Sequence, residues 1–367
     1  MIARVTVSRA NSTRSARLRL LAVAGLLALS ACQKPEPLRE SLLIFGGEAE
    51  FQVVSDQPGQ ARQALARISQ RFNEYDRDWH AWNPGPLVTL NRALARGERA
   101  EAPASVTALI ERSRPYTEQT DGLYDPAIGG LLALWGFHTS EFPVTTPAPD
   151  ERQIADWRQA RPRLQDVHVE DRWVSSDDPG VQLDFGGIAE GVAAEEAART
   201  FSDFGISNAL ITLGGDVYAL GSNHGEAWRV GIRDPFGNVL AGVELKGREA
   251  LFSSGNYNKF RESPDGARWP HVLDPRTGMP ASGVAAVAVL HPDPVLADVA
   301  ATALLIGGPA RFIELSQRLR LGCVLLLTEQ NELMVSRAML ARIELQREPV
   351  MLGEPIDLGD RCAPNAP

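Results

Sequence analysis

The spacing of hydrophobic positions predicts helices in the first half of the chain. Apolar residues recur at helical spacing in residues 60–73, and residues 105–120 show a similar pattern. Residues 42–54 alternate weakly between apolar and polar positions, which predicts a strand. Residues 138–182 mix Pro, charged residues and short apolar runs, so we expect an irregular segment with a strand or two.

The second half of the chain is richer in short apolar runs that end at Gly or Asp. They predict strands over residues 208–213, 228–232, 284–290, 321–328 and 332–335. The last two could pair as a hairpin across Glu329, Gln330 and Asn331. We detect no internal repeat. Helices mixed with mainly antiparallel strands predict a single large α+β domain.

The N-terminal segment has the composition of a secretory signal. Residues 1–19 contain five Arg and no acidic residue, and ten apolar or small residues follow. A run of ten is too short to span a bilayer, which needs about 20 residues. The segment ends at Leu29-Ser30-Ala31-Cys32, which resembles the lipobox of bacterial lipoproteins with Cys32 as the diacylated mature N-terminus. The alternative is an ordinary cleavage site beside an incidental Cys32.

These features divide the chain into four predicted parts. They are a signal peptide over residues 1–31, a lipidated Cys and tether over 32–41, one domain over 42–350, and a tail over 351–367. We expect the protein to be anchored in the membrane lipid through acylated Cys32, on the periplasmic side of a bacterial membrane. By resemblance to lipoprotein sorting, Gln33 after Cys32 slightly favours the outer membrane.

Composition excludes several classes of protein. The 37 basic and 46 acidic residues give a net charge of −9, which offers no basic surface for nucleic acid. Three Cys are too few for a disulfide scaffold or a four-Cys zinc site. Cys323 and Cys362 could form a disulfide in an oxidising compartment, and the sequence leaves this open.

Asp298 and Thr302 are the only polar residues in the apolar run 295–306, which predicts a helix. They are four residues apart and therefore share one helix face. A buried carboxylate needs a partner or a cation, and oxygen ligands suit magnesium better than zinc. The alternative is a Thr hydroxyl bonded to the Asp on a solvent-facing stripe, because two ligands alone do not define a site.

Residues 181–194 predict a strand that ends at Asp184, a turn at Gly186-Gly187 and a helix. A glycine turn before a helix presents free N–H groups to an anion such as phosphate. The glycines do not match the dinucleotide-binding or P-loop spacing, so neither of those sites is predicted. The alternative is a tight connection with no ligand.

Three further segments carry candidate chemistry. Residues 213–216 (LGGD) and 252–257 (FSSGNY) each end a strand-like run. Residues 270–280 (PHVLDPRTGMP) contain the turn sequence 274–278, with Pro at its second position and Gly at its end. His271 precedes that turn by three residues. A lone His is more often structural, and no serine-hydrolase or zinc-protease motif accompanies it.

Taken together, seven collinear segments over about residues 45–308 resemble the ApbE family of bacterial FAD:protein FMN transferases. Residues 122–137 (GLYDPAIGGLLALWGF) are similar to the family's G-x-F-D-x-T-x-x-P-L-x-x-L-W-G-F, and 271–278 to its H-x-x-D-P-x-T-G. One of the other five segments ends at Asn91. The remaining four, with the family pattern that each resembles, are residues 184–191 (D-L-G-G-I-A-K-G), 213–216 (L-G-G-D), 254–257 (S-G-x-Y) and 297–302 (A-D-x-x-x-T).

The resemblance implies that FAD is split at its pyrophosphate, that FMN is attached through a phosphoester to a Thr of an acceptor protein, and that AMP is released. It implies a flavin cleft between sub-lobes, and acceptors that are flavin-bearing subunits of membrane redox complexes. It implies Mg²⁺ ligands at Asp298, Thr302 and the Ala189 carbonyl, and His271 as the base. The implied cofactor contacts are Asn91, Asp125, Asp184, Gly186, Gly187, Glu190, Asp216, Ser254 and Gly255.

The chain departs from the family pattern at three places. Glu190 replaces the usual Lys, Tyr124 and Ala127 replace Phe and Thr, and residues 45–47 (FGG) stand where Met-Gly-Thr is common. A negative charge beside a pyrophosphate is repulsive unless a metal or an Arg compensates it. Two other functions stay open. An FAD-binding or scavenging lipoprotein would keep Asp184, Gly186 and the metal pair but would not need His271. A Mg²⁺-dependent FAD pyrophosphatase, in which water replaces the Thr, keeps the same residues.

Overall fold

The computed structural model describes residues 36–235, 237–257, 259–346 and 351–362. The helices are α1 (Pro58–Trp79), α2 (Pro86–Leu94), α3 (Ala104–Gln119), α4 (Gly129–Leu134), α5 (Glu151–Ala160), α6 (Ala189–Asp203), α7 (Pro294–Arg318) and α8 (Arg337–Leu340). The strands are β1 (Leu38–Ile44), β2 (Gly47–Val54), β3 (Ala100–Glu101), β4 (Val167–Glu170), β5 (Trp173–Ser176), β6 (Asn208–Leu213), β7 (Asp216–Leu220), β8 (Trp228–Arg233), β9 (Val239–Leu245), β10 (Glu249–Gly255), β11 (Phe260–Glu262), β12 (Arg268–Pro270), β13 (Leu273–Asp274), β14 (Met279–Pro280), β15 (Val284–His291), β16 (Cys323–Thr328), β17 (Glu332–Val335), β18 (Ile343–Leu345) and β19 (Met351–Leu352).

A nine-stranded sheet in the order β1-β2-β6-β7-β10-β15-β16-β17-β19 organises the domain. Its neighbouring strands are antiparallel except for the parallel pair β17–β19. A separate three-stranded sheet has the order β18-β9-β8. The predicted α+β class with mainly antiparallel strands is confirmed.

The nine-stranded sheet is covered on both faces. On one face, Ala250 and Phe252 of β10 share a core with α1, α6 and α7. On the other face, Leu251 packs in a second core with Trp228 and Leu240 from the β8 and β9 region. Successive residues of β10 therefore enter opposite cores, as the two-residue period of a strand requires. This burial on both faces explains why β15 is so apolar and all of its residues are buried.

Most of the predicted elements form close to their predicted positions. The helical patterns at 60–73 and 105–120 lie within or overlap α1 and α3, and the predicted hairpin is β16–β17. Residues 42–54 form parts of two strands, β1 and β2, because the chain reverses at Phe45 and Gly46, which have φ values of 53° and 72°. Helix α5 was not predicted, although Asp150 and Gln153 form a capping box at its start.

The predicted strand before Asp184 is not a regular strand. Residues 181–184 are extended, but the N–H and the carbonyl of Leu183 both bond the side chain of Asn91, at 2.8 and 2.9 Å. The Asp184 N–H bonds the Pro126 carbonyl at 2.8 Å. A side chain and a loop therefore take the place of a neighbouring strand.

The predicted tether and the predicted tail both belong to the domain in the parts that the structure describes, residues 36–41 and 351–362. Strand β1 begins at Leu38, inside the predicted tether, and β19 lies in the predicted tail and pairs with β17. Cys362 in the tail forms a disulfide with Cys323 of β16. The predicted signal peptide and Cys32 lie outside the described residues.

Helix α7 crosses the core beside the functional residues. It begins after Asp293, whose carboxylate accepts hydrogen bonds from the N–H groups of Val295 and Leu296. By length and composition it could cross a membrane, but half of its most apolar window is buried within the protein. Its helical geometry breaks at Gly308, with φ of 65°, two residues after the predicted run ends, and the helix continues to Arg318.

Candidate active site

Asp298 and Thr302 lie one turn apart on α7, where this helix meets α6 and the end of β10. Asp298 is 6% exposed, and its Oδ2 accepts a hydrogen bond of 2.9 Å from the Gly191 N–H in the first turn of α6. The Thr302 hydroxyl lies 3.3 Å from the Ser254 hydroxyl. The structure therefore brings together three segments that the sequence predicted separately.

Gly191 allows the two helices to approach this closely. A Cβ at this position would lie 2.7 Å from the Pro294 carbonyl oxygen and 2.8 Å from the Val295 Cα. Both are backbone atoms of α7, which cannot move aside as a flexible side chain can. A residue without a side chain is therefore required for the Asp298 contact.

Three carboxyl groups, from Glu190, Asp216 and Asp298, lie close together. Burial, followed by the charge of Glu190, raises the pKa of Asp298 well above its usual range. Burial, followed by the charges of Glu190 and Asp298, does the same to the pKa of Asp216. Burial also raises the pKa of Glu190, while its hydrogen bond with Asp216 opposes that shift. Ionisation of one of these groups therefore disfavours ionisation of the others.

The donor atoms around Asp298 fit a hard cation such as Mg²⁺. Among the described residues, no hydrogen bond reaches Oδ1 of Asp298, so this oxygen is available as a ligand. Glycines keep the space open, because a Cβ at Gly187 would lie 3.3 Å from the Thr302 Oγ1. Ala189 begins α6, two residues before the Asp298 contact. Carboxylate, hydroxyl and carbonyl oxygens are typical magnesium ligands.

The same part of the chain offers little to a zinc ion. Within the described ranges, no group of three or more His, Cys, Asp or Glu side chains is arranged to hold a metal. A cation beside Asp298 would therefore depend partly on neutral oxygen atoms. That donor set is uncommon for zinc and common for magnesium.

Asp184 closes the glycine turn and contacts a residue that the sequence did not identify. Its Oδ1 accepts a hydrogen bond of 2.9 Å from the Gly186 N–H, and its Oδ2 lies 3.2 Å from Nε2 of His138. The Trp82 ring stacks on the His138 ring at 5.3 Å. His138 directly follows the predicted segment 122–137, but nothing local places it beside a residue 46 positions away.

His271 is held in one orientation by a backbone carbonyl. Its Nδ1 lies 3.1 Å from the Lys259 carbonyl oxygen, and because that oxygen can only accept, Nδ1 must carry the hydrogen. The lone pair is then on Nε2. Burial, followed by the Lys259 charge, lowers the pKa of His271 to about 4. The imidazole is therefore neutral near pH 7 and able to accept a proton.

The turn after His271 is fixed by two tryptophans. Trp135 donates a hydrogen bond of 2.9 Å from Nε1 to the Gly278 carbonyl, and Trp157 donates one of 3.1 Å to the Pro275 carbonyl. Gly278 has φ of 72°, which favours glycine, and its N–H bonds the Asp274 carbonyl. The predicted turn forms and holds the position of the His271 segment.

Two residues predicted as cofactor contacts, Asn91 and Asp125, bond the protein backbone. The Asn91 amide pairs with both backbone groups of Leu183. The Asp125 carboxylate accepts hydrogen bonds of 2.9 and 3.1 Å from the N–H groups of Ala127 and Leu164, and burial raises its pKa to about 6. Both side chains position the backbone that leads to Asp184. Gly255, a third predicted contact, is the last residue of β10.

The substitution at Tyr124 has a structural consequence. Its hydroxyl lies 2.9 Å from the buried Ser113 hydroxyl, and its ring would be 3.4 Å from a Cβ at Gly187. The extra oxygen relative to Phe is therefore paired inside the core. Ala127 keeps its N–H bond to Asp125, so the loop geometry does not depend on a side-chain hydroxyl there.

Known proteins are similar to this chain over most of its length. The ApbE family model matches residues 45–325. An FAD:protein FMN transferase of Rhodobacter capsulatus is 34% identical over 325 residues, which is 88% of this chain but 61% of the length of that relative. One of Klebsiella pneumoniae is 31% identical over 266 residues, covering 71% of this chain and 75% of the relative.

Solved structures share the fold. The ApbE protein of Thermotoga maritima superposes with a TM-score of 0.75 at 26% identity, covering 85% of this chain and all of that one. The flavin transferase ApbE of Vibrio cholerae gives 0.71 at 23% identity, covering 84% of this chain and 99% of that one, which is a likeness of fold. The resemblance inferred from seven short segments is thereby confirmed, and the chain belongs to the ApbE family.

Proposed function

We propose that this chain is an FAD:protein FMN transferase that uses Mg²⁺ to move FMN from FAD to a Thr hydroxyl of an acceptor protein, with release of AMP. The observation that carries the proposal is the buried Asp298 carboxylate, which has a free oxygen beside the Thr302 hydroxyl and the start of α6. Relatives of this chain carry the name FAD:protein FMN transferase, which supports the transfer of FMN from FAD to a protein.

Asp298, Thr302 and the Ala189 carbonyl would hold the cation. When bound, Mg²⁺ neutralises charge on a diphosphate and so favours phosphoryl transfer. The partial positive charge at the start of α6 favours an anion near Ala189. The glycines at 186 and 187 allow the diphosphate to approach the backbone.

His271 would accept the proton of the acceptor hydroxyl at Nε2. The hydroxyl oxygen forms a bond to the phosphorus on the FMN side of FAD. The bond from that phosphorus to the bridging oxygen breaks, and AMP leaves with this oxygen and its electron pair. The proton on Nε2 then passes to solvent. The low pKa of His271 keeps Nε2 unprotonated and ready before each transfer.

The flavin ring system would lie near Trp82 and His138. Trp82 is 38% exposed and stacks on His138, so it offers an aromatic surface next to Asp184. Flat conjugated rings prefer such stacked contacts. Asp184 and Ser254 offer polar groups, and Asn91 and Asp125 act through the backbone that they position.

The reaction is tested by mixing the purified chain with FAD, Mg²⁺ and a flavin-accepting subunit of a membrane redox complex. The proposal predicts a covalently fluorescent acceptor, one equivalent of AMP per label, and no label after chelation by EDTA or when the acceptor Thr is changed to Ala. Free FMN and AMP without a labelled acceptor would instead identify a pyrophosphatase. Unchanged FAD bound at one equivalent would identify a flavin-binding protein.

We also propose that the protein is anchored to a membrane through acylated Cys32 on the periplasmic side. The Cys323–Cys362 disulfide supports an oxidising compartment. Cell fractionation provides the test: the wild-type chain is expected in the membrane fraction, and Cys32→Ser in the soluble periplasmic fraction. A wild-type chain found in the cytoplasm would contradict the proposal.

A further inference from the structure

His138 joins two segments that lie far from it in the sequence. Its Nε2 lies 3.2 Å from Oδ2 of Asp184, and the Trp82 ring stacks on its ring, with centroids 5.3 Å apart and 17° between the planes. A carboxylate oxygen can only accept a hydrogen bond, so Nε2 of His138 carries the hydrogen. One imidazole therefore bonds the glycine turn through its nitrogen and supports an aromatic side chain through its face.

The residues before His138 fix its backbone against the His271 segment. Trp135 donates a hydrogen bond of 2.9 Å to the Gly278 carbonyl, and the Phe137 ring meets the His271 ring nearly at right angles, with centroids 6.4 Å apart. The side chains of Trp135 and Phe137 are both buried. The His138 imidazole is therefore attached to a rigid part of the domain.

Trp82 has one face that is already covered and a surface that remains open. A flat ligand between Trp82 and His138 would need two stacked contacts of about 3.5 Å each, or about 7 Å in all, which exceeds the 5.3 Å between the two rings. The His80 ring meets the Trp82 ring at 71°, with centroids 4.3 Å apart. Trp82 is 38% exposed. A planar ligand can therefore stack only on the part of Trp82 that the two His rings leave open.

We propose that His138 is a positioning residue for the flavin ring of FAD, because it holds the Trp82 ring beside Asp184. The inference rests on the proposed function for FAD as the ligand, and it adds the residue that sets the place of the ring. The other oxygen of Asp184 accepts the Gly186 N–H, so the glycine turn and the aromatic surface share one carboxylate. Stacking on a ring that is already fixed loses less conformational entropy than stacking on a ring that is free to turn.

Titration calorimetry of the purified full chain with FAD and, separately, with ADP, both in the presence of Mg²⁺, tests this inference. ADP carries the adenosine and the diphosphate of FAD but no flavin ring. His138→Gln can still donate to Asp184 but has no ring to support Trp82. We therefore expect the affinity for FAD to fall by about tenfold and the affinity for ADP to stay within about twofold. His138→Phe keeps a ring and should retain the wild-type ratio of the two affinities.

His168 provides a matched control. Its Nε2 lies 2.8 Å from Oδ2 of Asp177, so it also pairs with a carboxylate, but it belongs to strand β4. His168→Gln should bind both nucleotides as the wild type does. Visible circular dichroism of bound FAD gives a second readout, which should weaken in His138→Gln because the flavin ring is held less firmly. Melting curves check that each variant folds.

The outcomes separate this inference from the proposed function. A loss of affinity that is confined to FAD in His138→Gln, and is absent from His138→Phe and His168→Gln, supports it. Equal losses for FAD and ADP, an unchanged FAD affinity, or the same selective loss in His138→Phe overturns the role of the His138 ring and leaves the transferase proposal intact. A wild-type chain that does not bind FAD would contradict both proposals.

Discussion

Asp125 and Asp298 are both buried acids, 7% and 6% exposed, but their surroundings differ. Asp125 accepts hydrogen bonds from two backbone N–H groups, those of Ala127 and Leu164. Asp298 accepts one, from Gly191, and lies beside the further acid Glu190. Hydrogen bonds within the protein therefore compensate the buried charge of Asp125, whereas the buried charge of Asp298 has only one such bond and a neighbouring acid.

The difference shows that burial of an acid does not by itself indicate a functional site. The Asp125 carboxylate accepts hydrogen bonds from N–H groups and holds a loop in place, and its pKa rises only to about 6. A carboxylate surrounded by other acids needs something from outside the chain. Substitutions at these two acids and at the residues around Asp298 test this contrast.

Replacing Asp298 by Asn should reduce FMN transfer by about 1,000-fold or more, because the charge that holds the cation is lost. Stability without metal should not fall, since an ionised buried acid beside Glu190 is unfavourable. Acceptor fluorescence measures the transfer, and melting in EDTA measures the stability. Transfer within tenfold of the wild type would contradict the assignment.

Replacing His271 by Ala should slow transfer by about 100-fold or more and leave Mn²⁺ affinity unchanged. In the wild type, the pKa of His271 near 4 predicts a rate that stays level as the pH falls from 7 to 5 and declines only toward pH 4. Initial rates of acceptor labelling across this range provide the measurement. A midpoint near 6.5 would show that the imidazole is not buried as described.

Replacing Gly191 by Ala should separate α6 from α7, because the new Cβ would meet two backbone atoms of α7. We expect a loss of about 1–3 kcal/mol in the free energy of unfolding and a roughly tenfold fall in transfer. Gly59→Ala is the matched control, since no atom lies within 4 Å of its Cβ position in α1. Equal stability of the two variants would contradict the close approach.

Replacing Asp125 by Asn should have the smallest effect on transfer, within about threefold, because the Asn oxygen still accepts both hydrogen bonds. The folded chain holds the Asp125 proton more tightly than the unfolded chain, so this group costs stability as the pH rises from about 4 to 6. Asn does not titrate. Urea unfolding at pH 7.5 should therefore show the variant to be as stable as the wild type or more stable.

Local sequence patterns predicted most of the elements correctly. Helical spacing indicated α1 and α3, and the apolar run with Asp298 and Thr302 indicated the first half of α7. These features depend on residues within one or two turns of each other. The pattern over residues 181–184 was misleading because the partner of Leu183 is a side chain 92 positions away.

Contacts between distant segments were not predictable from spacing. The hydrogen bond from the Ser253 N–H to Asp216 spans 37 positions, and the contact of His138 with Asp184 spans 46. Which carboxylates are compensated depends on such contacts. The sequence predicted both Asp125 and Asp184 as flavin contacts, and only the fold shows that Asp125 bonds the Leu164 N–H and that Asp184 contacts His138.

Anomalous diffraction from crystals grown with Mn²⁺ and FAD tests the central claim most directly. The account predicts one strong manganese peak within ligand distance of the Asp298 carboxylate, the Thr302 hydroxyl and the Ala189 carbonyl, next to the diphosphate of FAD. Flavin density with the manganese elsewhere, or no peak beside Asp298 at saturating Mn²⁺, would contradict it.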